Sequence, residues 1–297
     1  MFRSIVDDIK YSYRSGNMIT RLIIINVFIS LVFILTKALL RHDPGVQAAF
    51  IQFLAIPGDP FSLLLKPWTL VTHMFIHADF WHLLWNMLFL YWFGRIVGDM
   101  IGDQRILPLY FLGGIVGAIA YVASYQLFQG IGSYALGASA AVMAIVVTAG
   151  AIAPDYVMRL IIIGDVKLKY IVLFVLVMDI LGVANSSNTG GHIAHLGGAA
   201  FGFFFVRQLR EGIDLAEPLD RQFKKIAAFF SGKVEKKQKS NLNVKYRSPG
   251  KKRDIKPTQR DESFQERLDG ILDKIKEKGY ESLTDEEKEF LFMASKK

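Results

Sequence analysis

Six apolar blocks constrain this chain more than any other feature. They cover about residues 20–40, 80–98, 106–128, 137–153, 168–184 and 191–209. Several approach the ~20 residues that a helix needs to cross a ~30 Å hydrocarbon core. Lipid offers no water to the backbone, so an apolar span must satisfy its own N–H and C=O groups. A mean hydropathy of +0.30 over 297 residues agrees, being too apolar for an ordinary soluble chain of this length. The expectation is an all-α membrane protein, a bundle of six transmembrane helices.

Charge at the ends of the blocks sets an orientation. Lys10, Arg14, Arg21, Arg95, Arg105, Arg159, Lys167, Lys169, Arg207 and Arg210 fall on one side. Lys37, Arg41 and Lys66 fall on the other, beside two uncharged loops, QGIGSYALG and NSSNTGG. Basic residues mark the cytoplasmic side. Both termini are therefore expected there, with residues 1–19 as a cytoplasmic segment and 20–210 as the membrane domain. The first block reads as a retained span and not as a signal peptide, since it lacks a small-residue cleavage site. Between the first two blocks lies a long loop whose apolar runs, broken by Pro and Gly, are too short to span. The net charge of +8 sits largely after Phe205, where KKIAAFFSGKVEKKQK would face anionic lipid, so nucleic acid is not an expected partner. No cysteine is present, which excludes disulfides, thiol nucleophiles and thiolate metal sites.

Beyond Arg210 the chain turns polar. Residues 211–261 read as a basic flexible linker. Residues 262–297 read as a small cytoplasmic hairpin of two helices, with Phe264, Leu268, Ile271, Leu272 and Ile275 at helical spacing and Thr284 and Glu287 as a capping box. It carries no catalytic set and is expected to serve interaction or stability, with a cytoplasmic partner as one reading.

The topology gathers polar residues at one depth. The second, fourth and sixth blocks all enter from the outer side. That places His82 and Asn86, Ser139, and His192 and His195 in one outer layer. Polar groups in a bilayer face a bundle interior or a wet cavity. Gly137, Ala140, Ala141 and Ala144 in the fourth block, and Ala194, Gly198 and Gly202 in the sixth, permit close helix approach. A serine taken alone is more often a packing residue, and His195 alone could serve to bond helices. His192 is expected to be structural or at the cavity rim. His73 and His77, four apart, lack the glutamate of a zinc-protease helix, so no metal and no cofactor are expected. Trp68, Trp81, Trp85 and Trp92 suit interfacial belts or packing. Arg95 and Asp99 are expected to pair across one helical turn.

HADFWHLLWNMLFLYWFG, LGASAAV and GGHIAHLGGAAFG resemble three signature regions of the rhomboid intramembrane serine proteases. The resemblance covers roughly residues 20–210, including span number and order. It implies Ser139 as nucleophile and His195 as its general base, a dyad without an aspartate. It also implies that His82 and Asn86 bind the oxyanion together with the Ser139 N–H. One position departs: the family usually has glycine after the serine, where this chain has Ala140. A methyl there could crowd the contact of the fourth and sixth spans or the oxyanion site, although alanine is still small. Ala141 also breaks the G-x-S-x-G pattern of an α/β-hydrolase.

The expected activity is cleavage of transmembrane segments near the outer face. Good substrates should carry helix-weakening residues, because an intact helix hides its carbonyls in its own hydrogen bonds. The lipid bilayer and such transmembrane proteins are the expected partners. Two rivals stand beside this reading. One is a rhomboid-like pseudoprotease that binds membrane helices without cutting them. The other is a transporter, disfavoured because no internal repeat with paired broken helices is evident. A bacterial plasma membrane is the expected location, since no organelle-targeting segment is apparent.

Overall fold

The computed structural model describes residues 2–128, 131–160, 163–185, 188–230 and 259–294. The chain divides into two compact units, Met1–Glu235 and Lys236–Lys297.

The first unit opens with α1 (Phe2–Ser15) and α2 (Met18–Leu39). Asn17 caps α2, its side chain accepting from the Thr20 N–H at 3.0 Å. The loop that follows is built from short helices: α3 (Pro44–Leu54), α4 (Pro60–Leu65) and α5 (Thr69–Thr72). Asp43 and Asp59 cap α3 and α4, each followed by a proline whose missing N–H costs nothing at a helix start. Then come α6 (Phe80–Ile101), α7 (Ile106–Leu127), α8 (Ser139–Ile152), α9 (Leu168–Ala184) and α10 (Thr189–Arg210). Asp79 caps α6 through the His82 N–H at 3.0 Å.

A helix lies within or across each of the six apolar blocks. Among the described residues, two stretches are long and apolar enough by themselves to cross a membrane, Met18–His42 and Asp103–Leu127. Helix α8 is as apolar but has 14 residues, and α9 has 17. The fold is not wholly helical. Strand β1 (Ile56–Pro57) pairs antiparallel with β2 (Tyr134–Ala135), tying the loop after α3 to the segment that enters α8. After Pro154 ends α8, β3 (Val157–Leu160) and β4 (Gly164–Lys167) form a hairpin. Its ends are drawn together by Asp155, which accepts from Lys167 Nζ at 3.1 Å and Lys169 Nζ at 2.9 Å. These pairs correct the all-α expectation.

Helix α8 is the most enclosed element: residues 140–150 are all buried. It packs against α6, α7 and α10. Glycine sets how close α10 comes. A Cβ on Gly198 would stand 2.0 Å from the Ala140 carbonyl oxygen, and one on Gly202 2.3 Å from that of Ala144. On the other flank, Gly117 and Gly113 of α7 face the methyls of Ala140 and Ala144; a Cβ there would lie 2.4 and 2.3 Å from them. The Ala140 methyl thus points at α7, where Gly117 leaves room for it. This corrects the expectation that it crowds α10 or the oxyanion site.

Arg95 also differs from expectation. Its guanidinium donates to the Tyr91 hydroxyl at 3.0 Å and lies over that ring, one turn earlier on α6, instead of closing an ion pair with Asp99.

The segment expected to begin a flexible linker instead forms α11 (Glu217–Phe230). Pairs Glu217–Arg221 and Asp220–Lys224 sit at helical i,i+4 spacing, and the Phe223 ring lies 5.3 Å from Phe111 of α7. Residues 231–258 of that expected linker lie outside the described residues, and its last three, 259–261, belong to a helix that begins at Gln259.

In the second unit, α12 (Gln259–Lys278) and α13 (Asp285–Ala294) flank a 3-10 turn at Tyr280–Ser282. Ile271 and Leu283 are buried, and the Phe264 and Phe290 rings lie 5.0 Å apart. The capping box forms: the Thr284 N–H donates to Glu287 at 2.8 Å, and the Glu287 N–H to Thr284 Oγ1 at 3.3 Å. Lys274 Nζ reaches both Glu287 oxygens, at 2.9 and 2.8 Å.

Candidate active site

Ser139 is the first residue of α8, and the turn before it is held from outside. The Gly137 N–H donates to the His73 carbonyl at 2.9 Å, and the Ala138 N–H to His77 Nε2 at 3.3 Å. Helix α8 has no side-chain cap. Its first-turn N–H groups, that of Ser139 included, are therefore orphan donors at the positive end of a helix.

His77 is a part of this arrangement that sequence reasoning passed over. The Ser30 hydroxyl donates to the Phe75 carbonyl at 2.9 Å and lies 2.7 Å from His77 Nδ1. Having spent its proton, Ser30 can only accept from Nδ1–H. That fixes the tautomer with a bare Nε2, the acceptor that Ala138 requires. Burial pushes the His77 pKa down to about 3, so the ring stays neutral and keeps that lone pair. His73 is tied to the Thr69 carbonyl at 2.7 Å through Nδ1. These two histidines brace the loop that leads into Ser139.

Gly137 completes the approach to Ser139. Its φ is +129°, and a Cβ there would meet the His82 ring at 2.7–2.8 Å. The vacant side of this glycine is where the His82 ring lies. Asn86, one turn along α6, donates one amide hydrogen to the His82 carbonyl at 2.8 Å, leaving a second.

Ser139, His82, Asn86 and His195 all line one cavity of about 390 Å³, whose walls include Trp85 and Phe89 of α6 and Val175 and Met178 of α9. The four residues singled out in the sequence thus come together from three helices. One contact is not made: among the described residues, Ser139 Oγ forms no hydrogen bond with His195.

What His195 does touch was not foreseen. Its Nδ1 lies 2.8 Å from Oδ1 of Asp179, in α9, and His192 Nδ1 lies 2.8 Å from the same oxygen. The expectation of a histidine without an aspartate is corrected by this contact. A carboxylate is the one acidic side chain in LKYIVLFVLVMDILGVA, and a lone acid in an apolar helix was the available signal. Asp179, His192 and His195 could each offer one metal-ligand atom. However, two ligands on one tetrahedral zinc sit about 3.3 Å apart, from bonds of ~2.0–2.1 Å. Distances of 2.8 Å from imidazole to carboxylate are hydrogen-bond lengths.

Residues 65–211 match the profile of the rhomboid domain, which spans α6 to α10 and every residue lining the cavity. Residues 258–297 match a family of unknown function, DUF6576. The chain is 30% identical over 157 residues to RHOMBOID-like protein 12, mitochondrial, of Arabidopsis thaliana, covering 48% of this chain and 47% of that protein. It is 26% identical over 201 residues to presenilin-associated rhomboid-like protein, mitochondrial, of Bos taurus, covering 63% and 47%. For the Homo sapiens protein of the same name the identity is 27% over 176 residues, covering 55% and 42%. The aligned region is thus less than half the length of these relatives. Mostly helical, matched over its site-bearing helices and similar to proteins named for this fold, the chain is a membrane protein of the rhomboid family.

Proposed function

We propose that this protein is an intramembrane serine endopeptidase, with Ser139 as nucleophile and His195 as general base. The observation that carries this reading is the placement of Ser139 at the uncapped start of α8, in one cavity with His195, His82 and Asn86. His195 Nε2 takes the Ser139 hydroxyl proton as Oγ attacks a peptide carbonyl. The developing oxyanion meets the Ser139 N–H, the second Asn86 amide hydrogen and the His82 ring. Losing one such donor typically raises the barrier by ~2.7–4 kcal/mol. His195 then passes its proton to the leaving amine, and water resolves the acyl-enzyme.

In this reading all six long helices span the bilayer, with both termini cytoplasmic, and the site lies near the outer face where water can enter. Substrates are transmembrane proteins weakened in helicity there, whose apolar length meets the cavity wall between α6 and α9. Residues 259–294 serve as a separate cytoplasmic module. The relatives are named as mitochondrial, which stands against the bacterial plasma membrane expected from the sequence.

A non-catalytic helix binder is the second reading, favoured by the missing Ser139–His195 hydrogen bond. Catalytic hydrogen bonds often close only when substrate is bound, so one experiment separates the two. Wild type and Ser139→Ala are incubated with a model transmembrane substrate and a fluorophosphonate. Cleavage and labelling in wild type alone support the protease. Absence of both in wild type, across several helix-weakened substrates, favours the binder.

A further inference from the structure

We propose that Asp179 is a positioning residue that completes a Ser139–His195–Asp179 array, so that the base is held by a carboxylate reaching it from α9. The inference rests on the protease reading above and goes beyond its dyad. It begins from cost. The Asp179 side chain is 7% exposed and stands in an otherwise apolar helix. A buried carboxylate is expensive unless it is paired and hydrogen-bonded. Its position tells what it pairs with. Oδ1 accepts from the Nδ1 atoms of His195 and His192 at 2.8 Å each, while Oδ2 is buried with no hydrogen-bond partner among the described residues.

A residue kept only to fasten α9 to α10 would be expected to use both oxygens. Here one oxygen takes two imidazoles and the other takes none. Both imidazole contacts fall on Oδ1, so the carboxylate is aimed at the histidines of α10. An ionised carboxylate only accepts, so Nδ1 of His195 carries hydrogen. The lone pair then resides on Nε2, on the opposite edge of the ring, the tautomer a base for Ser139 must have. As Oγ bonds to the carbonyl carbon, the carbonyl π pair moves to oxygen and the hydroxyl proton moves to Nε2. The Nδ1 hydrogen stays in place, and its bond to Oδ1 becomes charge-assisted against the new imidazolium. When the C–N bond breaks, the Nε2 proton leaves with the amine. Water then gives one proton to Nε2 while its oxygen takes the acyl group, and that proton returns to Oγ as Ser139 departs.

His192 holds the same carboxylate oxygen. A Cβ on Gly182 of α9 would stand 2.3 Å from His192 Nε2, so this ring is wedged against α9. It steadies Asp179 without sharing the work of His195.

The test uses the full-length protein in lipid or detergent, as wild type, Ser139→Ala, Asp179→Asn and Asp179→Glu. Cleavage kcat and KM, fluorophosphonate labelling rate and Tm are read for each. Asp179→Asn keeps the volume but presents an amide that can leave His195 in the wrong tautomer; the same change in a soluble triad costs about 10⁴ in kcat. The expected result is a fall of at least about 10²-fold in kcat and labelling rate, with KM and Tm near wild type. Asp179→Glu should recover part of the rate. Turnover of Asp179→Asn within about three-fold of wild type overturns the role. So does a joint loss of Tm and activity that Glu fails to recover. If wild type itself neither cleaves nor labels, the protease reading falls and takes this role with it. If wild type is active, Ser139→Ala dead and Asp179→Asn active, only the role of Asp179 falls.

Discussion

At the scale of single residues, Gly137 is the position with least freedom. A side chain there meets two independent obstacles, a φ of +129° and the His82 ring 2.7–2.8 Å from where Cβ would stand. Gly137→Ala must therefore push the ring away or drag the Ser139 turn with it. Misplacement by about 1 Å can cost about 10²-fold in rate. The expected outcome is a loss of that order in kcat for transmembrane-substrate cleavage, with α8 still folded by circular dichroism. Unchanged kcat would show that neither His82 nor the turn needs its present place. His77 makes a different kind of prediction. Burial lowers its pKa from an ordinary 6.5 to about 3, and that of His73 to about 4. The unfolded chain takes up protons below pH 6.5 that the folded chain refuses, so stability is complete above 6.5 and declines as pH falls toward 4. Tm in detergent should drop over that window. His77→Phe should be less stable at pH 7.5 yet lose less Tm on acidification; an equal loss would assign the pH dependence elsewhere. The residues legible in sequence were those at one predicted depth on separate spans: Ser139, His195, His82 and Asn86. His77 was not, because its partners Ser30 and Ala138 lie 47 and 61 positions away and no spacing announces them. Asp179 was legible in principle, as a lone acid in an apolar block. Its direction toward His195 depends on how α9 rotates against α10, which hydropathy does not encode.

At the scale of elements, the site depends on how closely α8 and α10 approach. Gly198 and Gly202 of α10 sit against α8 backbone, and Gly113 of α7 sits against an α8 methyl. These contacts differ in tolerance. Backbone cannot step aside, so Gly198→Val is expected to separate the helices. Overpacking typically costs about 1–3 kcal/mol and here would also widen the Ser139–His195 gap. Gly113→Ala meets the Ala144 methyl, with its next neighbours at 3.7 Å, and the double change Gly113→Ala with Ala144→Gly restores room. Unfolding in SDS should show Gly113→Ala destabilised and the double variant largely recovered; no recovery would mean that the Ala144 methyl is not what Gly113 accommodates. The helices themselves were readable because apolar blocks, Pro154 and capping Asp residues mark them locally. The two strand pairs were not. Strands β1 and β2 have two residues each and exist only because distant segments meet. Helix α11 was hidden by a basic, polar composition that suits a linker equally well. What distinguishes it is the spacing of its ion pairs and the Phe223 contact with α7.

At the scale of the whole molecule, the chain joins two units of opposite character, and they should respond differently to acid. The first is held by apolar packing and by the buried, neutral His73 and His77. The second is small, and Glu287 is its hub: it accepts from Lys274 and from the Thr284 N–H in the turn that starts α13. Lys274, followed by the Thr284 N–H, holds the Glu287 carboxyl below its ordinary value of 4.5. A depressed carboxyl contributes stability that is complete above the ordinary value and is lost as pH falls through the lowered one. The group is partly exposed, so the effect is screened by salt and modest in size. Its location makes it measurable, because the first turn of α13 depends on the cap. Hydrogen exchange on the full-length protein in detergent should show protection of residues 285–294 steady from pH 7 to 5, once corrected for intrinsic rates, and falling below 4.5. Glu287→Gln can still accept from the Thr284 N–H but has no charge to offer Lys274. It should exchange faster at neutral pH and show a flatter acid response. Protection of 285–294 that is indifferent to both acid and Glu287→Gln would mean that the start of α13 is held by apolar contacts such as Leu283 and Phe290. In that case the match of residues 258–297 to a family of their own would rest on a core that sequence spacing only partly revealed.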